Sequence, residues 1–319
     1  AAFLVTAIQQ VVAFVLLSGV LGALWLTPKH WLGLSEPYRP KRLRTAKEWA
    51  AMLVFSVAFA MNIGLNNFSL SLLTVSLNLI IRSCLPLVTL IVQLLSGTAG
   101  NVRGIEVALM TGGVFFAGLA TVAKGHGSHG GAAATHLVLG VVMCALSDIA
   151  AAGNLVLASV FGTHMKLNSL DTTFYMAVPC AVSLLPVVFA LHHPVDWPGA
   201  GSMTDWSVFL KVLDLSPTVL SLVGLSGVFA AGYNLLQYTI VQSLSATHAA
   251  FAGNFNKAAT IMLSICLGLE SLPTGAWSGL MMFAILGNIL SFTGYSLIKG
   301  GDGKHGLPPA KQVDAPVKP

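Results

Sequence analysis

Long apolar runs separated by short polar connections fill the chain from its first residues to about residue 299. A helix needs roughly 20 consecutive apolar residues to cross the hydrocarbon core of a bilayer. Nine runs approach or exceed that length, and they lie near 3–27, 48–66, 72–95, 104–123, 136–161, 172–191, 216–241, 247–269 and 276–298. Because irregular backbone in lipid would leave polar groups without partners, each run is predicted to be a helix.

The composition supports this interpretation. Apolar residues make up 55% of the chain and charged residues 8%, with a mean hydropathy of +0.81. A soluble domain carries about 25% charged residues, so this chain is predicted to be an all-α polytopic membrane protein. We expect one transmembrane domain, 1–299, built from a first half, 1–123, and a second half, 136–299. The tail at 300–319, rich in Pro, Lys and Gly, is predicted to be disordered.

The net charge of +5 arises mainly in the connections, so we expect no nucleic-acid partner. The segment from Thr27 to Glu48 holds six Lys and Arg residues against two glutamates. Cytosolic loops of membrane proteins carry such an excess of bases, so the segment is predicted to be cytosolic. With nine spans the first residue then lies on the opposite side, and we expect a further helix to precede it.

Neither a metal site nor catalytic chemistry is indicated. His126 and His129 lie in the Gly-rich stretch 124–135, where two imidazoles in a flexible loop make a poor metal site. The sequence contains no HExxH motif, no paired aspartates at intramembrane-protease spacing and no Ser/His/Asp set on neighbouring spans. We therefore expect no metal, no cofactor and no enzyme.

Three charged side chains, Arg82, Asp148 and Lys257, fall well within apolar spans. A cation at the bilayer centre costs roughly 2.5–3.5 kcal/mol, so each base needs a partner or a wet cavity. Both bases lie on polar stripes at helical spacing. The stripe of Arg82 contains Ser71, Thr74, Asn78, Thr89 and Gln93, and that of Lys257 contains Gly253, Asn254, Thr260 and Ser264.

Two interpretations of these stripes remain open. In the first, the stripes pack against neighbouring helices and each cation finds a carboxylate, although Asp148 is the single acid deep enough to serve. In the second, the cations face each other in a central cavity between two halves, as in many secondary transporters. Such a pair would attract an anionic substrate.

Other polar groups lie near these candidates. Pro86 and Pro179 cannot donate hydrogen bonds to the carbonyls of Arg82 and Tyr175, so we expect a kink and a freed carbonyl at each place. A group of aromatic and amide side chains on the seventh span is suited to binding a base or sugar, or to packing between helices. It consists of Tyr233, Asn234 and Gln237.

With these residues in view, the chain resembles the triose-phosphate and nucleotide-sugar translocators of the drug/metabolite transporter superfamily. Residues 74–86, TVSLNLIIRSCLP, resemble the family's VSF-x-x-x-x-K-A-x-x-P stretch, with Arg82 in place of its lysine. Residues 168–180, NSLDTTFYMAVPC, resemble its N-P-x-T-x-x-Y-Y-x-A-P-C stretch. Residues 245–257, SATHAAFAGNFNK, resemble its S-A-L-T-H stretch and the following G-N-x-x-K.

This resemblance implies a ten-helix inverted-repeat fold that lacks its first helix here. It also implies an antiporter that exchanges a nucleotide sugar or sugar phosphate for a nucleoside monophosphate or inorganic phosphate. Arg82 and Lys257 would hold phosphate, and the other substrate-binding residues would be Asn78, Tyr175, Tyr233, Asn234, Gln237, Gly253, Asn254 and Asn256.

Departures from the family pattern narrow the substrate and the membrane. Ala258 stands where plastid phosphate translocators have an arginine, so a Golgi or ER membrane is expected rather than the plastid envelope. Residues 253–257, GNFNK, resemble the GALNK motif of GDP-mannose carriers, but residues 174–177, FYMA, depart from their FYNN motif. A homodimer is possible in this family.

Two other functions remain alternatives. A cation-coupled drug or metabolite exporter would use Asp148 as the proton-binding group. A membrane scaffold that transports nothing would look similar in sequence.

Overall fold

The computed structural model describes most of the apolar part of the chain. The described residues are 2–27, 40–99, 102–125, 131–197, 200–243 and 275–303, together with single positions between 246 and 268.

Helices account for nearly all of these residues. Those of the predicted first half are α1 (Ala2–Leu26), α2 (Ala46–Leu70), α3 (Val75–Arg82), α4 (Leu85–Leu95) and α5 (Gly104–Gly125). Those of the second half are α6 (Gly131–Val160), a π-helical turn (Phe161–Met165), α7 (Ser169–Ala190), α8 (Asp205–Leu215), α9 (Thr218–Ser243) and α10 (Ala276–Gly303).

Eight helical stretches of the described chain are long and apolar enough to cross a membrane, with α3 and α4 counted as one. They correspond to eight of the nine predicted spans. Most residues of the remaining span, near 247–269, lie outside the described residues, and those described from 246 to 266 are helical. The protein is an all-α polytopic membrane protein, as predicted.

Some predicted boundaries differ from the observed ones. The stretch predicted as a loop at 124–135 is shorter, because α5 runs to Gly125 and α6 begins at Gly131. His126 and His129 lie outside the described residues. The helix α10 continues to Gly303, past the predicted start of the tail, and residues 304–319 also lie outside them.

Polar side chains fix the starts of two helices that matter below. At α2 the Thr45 hydroxyl accepts from the Glu48 amide at 3.2 Å, while the Glu48 carboxylate accepts from the Thr45 amide at 3.0 Å. This reciprocal pair is a capping box, which satisfies donors that a helix start leaves free. At α7 the Asn168 side chain accepts from the Asp171 amide at 2.7 Å.

A hairpin and a short helix between α7 and α9 were absent from the sequence prediction. Strand β1 (His192–Trp197) pairs antiparallel with β2 (Ala200–Thr204), and α8 follows directly. The buried Asp205 carboxylate accepts from the Phe3 amide at 2.5 Å and the Leu4 amide at 2.9 Å, and it lies 2.7 Å from His193 Nε2. The hairpin and α8 are therefore attached to the start of α1.

The helices of the two predicted halves interleave. Extensive packing joins α5 to α10, α2 to α6, α1 to α7 and α1 to α9. Close approach of α5 and α10 depends on Gly287, where an added Cβ would lie 2.5 Å from the Phe116 ring. The main apolar core lies among α1, α2, α6, α7 and α9. It positions Arg82 beside helices of the second half.

Candidate functional site

The third span breaks at its proline rather than kinking. The helix α3 ends at Arg82 and α4 begins at Leu85, with Pro86 in the first turn of α4. Since Pro86 has no N–H, it cannot donate to the Arg82 carbonyl. The Lys257 amine takes that place, because its Nζ donates to the Arg82 carbonyl oxygen at 2.6 Å. A cation from the second half of the chain thus binds the backbone at the break in the first half.

Three side chains from α2 and α6 hold the Arg82 guanidinium. Its Nη2 donates to Asn62 Oδ1 at 2.9 Å and its Nη1 to Ser147 Oγ at 3.4 Å. Its Nε lies 3.7 Å from Asp148 Oδ1. The guanidinium therefore faces the interior of the bundle rather than lipid.

The contact with Asp148 bears on the two interpretations of the polar stripes. In the first of them each cation finds a carboxylate, and Arg82 does have the Asp148 carboxylate beside it. With all three groups ionised, the cluster of Arg82, Lys257 and Asp148 carries one net positive charge, not two. We call these three residues the midplane cluster.

The Asp148 carboxylate is nearly fully buried, and its Oδ1 has no hydrogen-bond donor in the described part of the chain. A buried charge without hydrogen bonds is costly. Asp148 interacts electrostatically with both Arg82 and Lys257. At Oδ1, the contacts of Asp148 within the midplane cluster are therefore electrostatic.

Asn78, one turn before Arg82, ties α3 to its neighbours. Its amide nitrogen donates to Ser69 Oγ at 3.1 Å and contacts Cys144 Sγ at 3.5 Å, while Ser69 Oγ donates to the Gly140 carbonyl at 2.9 Å. Asn78 is fully buried, and its Oδ1 has no partner among the described residues.

Tyr175 lies far from the midplane cluster. Its hydroxyl donates to the Lys41 carbonyl at 2.8 Å, and its ring packs edge-on against Trp49 near the start of α2. Trp49 follows Glu48 at the start of α2, whereas Asn62, which accepts from Arg82, lies further along the same helix. At a rise of about 1.5 Å per residue, Glu48 and Asn62 are about 21 Å apart, so Tyr175 and Arg82 contact distant parts of α2. Tyr175 lines a separate, open pocket of about 1180 Å³.

The aromatic and amide group on α9 is not gathered on one face. The Tyr233 side chain is 52% exposed, whereas Asn234 is buried at 4% and Gln237 is half-buried. No contact of the described chain brings Tyr233, Asn234 or Gln237 to Arg82. Their roles in substrate binding stay predictions.

Of the three predicted substrate-binding residues just before Lys257, the structure describes one. Gly253 is half-buried in a helical stretch, and Asn254 and Asn256 lie outside the described residues. The cavity predicted between Arg82 and Lys257 depends on this part of the chain and stays a prediction.

Sequence reasoning missed several residues that hold the site. Asn62 and Ser147 hold the guanidinium, and Ser147 Oγ also donates to the Asn62 carbonyl at 2.7 Å. Seven residues after Ser147, Asn154 accepts a hydrogen bond from the Tyr238 hydroxyl at 3.1 Å. The signal was present in the sequence, because Ser147, Asp148 and Asn154 form a polar stripe within the apolar run of α6.

Comparison with known proteins shows the fold alone. No family model matches the chain, and no curated protein matches it. A solved structure described only as "Crystal structure of protein" is similar over 93% of this chain and 89% of that chain, with a TM-score of 0.54 and 15% identity. Among the described residues, no group of three or more His, Cys, Asp or Glu could hold a metal ion.

Proposed function

We propose that this protein is an antiporter that carries a nucleotide sugar or sugar phosphate across a membrane in exchange for a nucleoside monophosphate or inorganic phosphate. The observation that carries the proposal is the contact between Lys257 and the carbonyl of Arg82 inside a membrane protein. It joins the two buried bases, one from each half of the chain, at a break in a membrane helix.

The first step of the argument is electrostatic. A neutral carbonyl is a weaker partner for an ammonium than an anion, because charge-assisted hydrogen bonds are shorter and roughly twice as strong. A phosphate entering beside Arg82 would therefore compete for the Lys257 amine. The cluster's net positive charge favours that anion.

The second step concerns the helix. When Lys257 turns to the phosphate, the Arg82 carbonyl loses its donor at the break between α3 and α4. Proline breaks are places where helices bend. Phosphate binding and bending at the break are then coupled, since a ligand shifts an equilibrium by binding one state better than the other.

Exchange follows from this coupling. In the empty carrier, Lys257 stays on the carbonyl and keeps the break in one geometry. A phosphorylated solute must occupy the cluster before the helices rearrange, whichever side it comes from. Influx of one phosphorylated solute therefore depends on efflux of another.

The test is uptake into vesicles reconstituted with the purified protein. Labelled nucleotide sugar or sugar phosphate should accumulate when the vesicles contain a nucleoside monophosphate or phosphate, and only slowly when they contain neither. Equal uptake into loaded and empty vesicles would contradict exchange. A thermal-shift screen with the same solutes identifies which base and sugar to use.

A second candidate is a cation-coupled exporter, and it is favoured by the buried Asp148 carboxylate, whose Oδ1 accepts no hydrogen bond from the described residues. This function predicts that collapse of a proton gradient abolishes transport and that Lys257→Gln has little effect. The antiporter predicts the reverse for both measurements. Failure of every phosphorylated solute to protect the protein thermally would instead favour a scaffold that transports nothing.

The Golgi or ER membrane is the proposed location. It rests on Ala258, which replaces the arginine of plastid phosphate translocators. Fluorescence microscopy of the tagged chain beside Golgi, ER and plastid markers tests it, and a plastid signal would contradict it.

A further inference from the structure

The open pocket at the start of α2 has features of a binding site that the proposed antiport does not use. It encloses about 1180 Å³ between α1, the segment before α2 and the start of α7. Its lining includes Trp25, Lys41, Arg42, Arg44, Glu48 and Tyr175. We call it the basic pocket. Its volume exceeds the roughly 300–1,000 Å³ that is typical of small-molecule sites, because the pocket is open to the surface.

The wall that carries the bases is fixed by contacts of Lys41. Its amide donates to the Asp171 carboxylate at 3.1 Å, and its carbonyl accepts from the Tyr175 hydroxyl at 2.8 Å. Its ammonium donates to the Met165 carbonyl. These contacts tie the segment 40–44 to α7 and to the turn that precedes it, so the adjacent arginines extend from an anchored backbone.

Arg42 and Arg44 add positive charge to the described lining of the basic pocket. Both side chains are exposed, and neither guanidinium has a hydrogen bond or ion pair with another residue of the described chain. The Glu48 carboxylate is already bound by the Arg44 and Thr45 amides, at 2.6 and 3.0 Å. Two guanidiniums that share a pocket are suited to phosphate, which they bind in a planar, bidentate fashion.

The aromatic side of the basic pocket suits a group at a membrane surface. Trp25, in the last turn of α1, is 66% exposed, and Tyr175 lies opposite on α7. Trp and Tyr side chains are enriched where membrane helices meet the headgroup layer. The basic pocket combines this aromatic lining with surplus positive charge.

We propose that the basic pocket is a second phosphate site, separate from the midplane cluster, which binds the phosphate of an anionic lipid headgroup or of a free phosphorylated solute. The two sites are separated by about 21 Å along α2, between Glu48 and Asn62. The inference holds whether or not the protein is an antiporter.

The test measures binding to the purified full chain in nanodiscs. One arm titrates inorganic phosphate into phosphatidylcholine discs and measures its binding. The other arm measures the binding of phosphatidic acid by comparing discs with and without this lipid. The variant R42Q/R44Q should weaken phosphate or phosphatidic acid binding by about tenfold or more, equivalent to about 1.4 kcal/mol. Binding of phosphatidic acid without binding of inorganic phosphate assigns the site to a lipid headgroup. Binding in both arms assigns it to any phosphate group.

Matched controls separate this site from surface charge and from the midplane cluster. Lys47→Gln removes one positive charge from the first turn of α2, outside the pocket lining, and should change binding less than twofold. Phosphate that binds at the midplane cluster is recognised as the part of the binding that Lys257→Gln removes and R42Q/R44Q does not. If Lys47→Gln weakens binding as much as R42Q/R44Q does, or if neither phosphate nor phosphatidic acid binds, the proposal is wrong.

If R42Q/R44Q does not fold, a variant that keeps both positive charges tests the same proposal. R42K/R44K keeps both positive charges but loses the planar, bidentate geometry, so it should bind phosphate or phosphatidic acid several-fold more weakly than the wild type. Unchanged binding in R42K/R44K would show attraction by charge alone and would contradict a built phosphate site.

Discussion

The midplane cluster and the basic pocket place similar side chains in opposite surroundings. Arg82 is half-buried among α2 and α6 beside the buried Asp148 carboxylate, whereas Arg42 and Arg44 are exposed and have no acidic partner in the described chain. Removing a buried charge leaves its partner unpaired at a cost of several kcal/mol, whereas an exposed charge contributes about 1 kcal/mol or less. The same residue type therefore has different consequences for stability and binding in the two regions.

The largest expected effect is on stability at the midplane cluster. Arg82→Met removes the cation that lies 3.7 Å from the buried Asp148 carboxylate, so the free energy of unfolding should fall by about 3–5 kcal/mol. Thermal or denaturant unfolding in detergent measures the loss. Adding Asp148→Asn to Arg82→Met should recover part of it. A loss below about 0.5 kcal/mol for Arg82→Met would show that Arg82 and Asp148 are not coupled.

The next effect is on the rate of exchange. Pro86→Ala supplies an N–H that can donate to the Arg82 carbonyl, which makes α3 and α4 one helix and displaces Lys257. We expect exchange to slow by about tenfold, a barrier increase of about 1.4 kcal/mol, while stability is kept or raised. The rate of counterflow in reconstituted vesicles measures the slowing of exchange. Pro186→Ala, within α7, is the control, and an equal slowing there would remove the special role of the break.

A smaller effect is expected where the basic pocket meets α7. Tyr175→Phe removes the hydroxyl that donates to the Lys41 carbonyl, which should cost about 1 kcal/mol of stability. Phosphate binding at the basic pocket should weaken a few-fold because its wall loosens. Unfolding and phosphate titration of the same sample measure both changes. Loss of exchange in Tyr175→Phe with unchanged phosphate binding would instead place this hydroxyl in the transport site.

The smallest effect is on stability at the basic pocket. Arg44→Gln should change the free energy of unfolding by less than about 0.5 kcal/mol, because the side chain is exposed. Raising salt from 0.1 to 0.5 M should weaken phosphate binding there several-fold, since exposed charges are screened. Exchange through the midplane cluster should respond much less to salt. Equal salt sensitivity of binding and exchange would remove the distinction between the two regions.

Much of the fold was predictable because each membrane span must satisfy the same requirement for length and apolar character. A freed Arg82 carbonyl at Pro86 was also anticipated, since proline lacks the donor that this carbonyl needs, but the sequence predicted a kink there rather than a break. The hairpin and α8 were not, because their contacts with α1 through Asp205 are tertiary and leave no periodic pattern.

The candidate site was predictable in its charges but not in their partners. The position of Arg82, Asp148 and Lys257 within apolar spans singled them out in the sequence. That Asp148 faces Arg82 depends on how α6 is rotated against α3 and α4, which helix packing decides. Tyr175 matched a family motif, yet its position beside Lys41 follows from the approach of segment 40–44 to α7.

The central claim is that the Lys257 amine leaves the Arg82 carbonyl to bind phosphate. The most direct test compares the rates at which the wild type, Lys257→Gln and Lys257→Arg exchange a phosphorylated solute in reconstituted vesicles. Glutamine carries no charge, so it loses the electrostatic attraction of the Lys257 amine for phosphate, and exchange should fall by about a hundredfold, equivalent to about 2.7 kcal/mol. Arginine keeps the charge and should retain a measurable fraction. Wild-type exchange by Lys257→Gln would contradict the claim that Lys257 passes from the carbonyl to the phosphate.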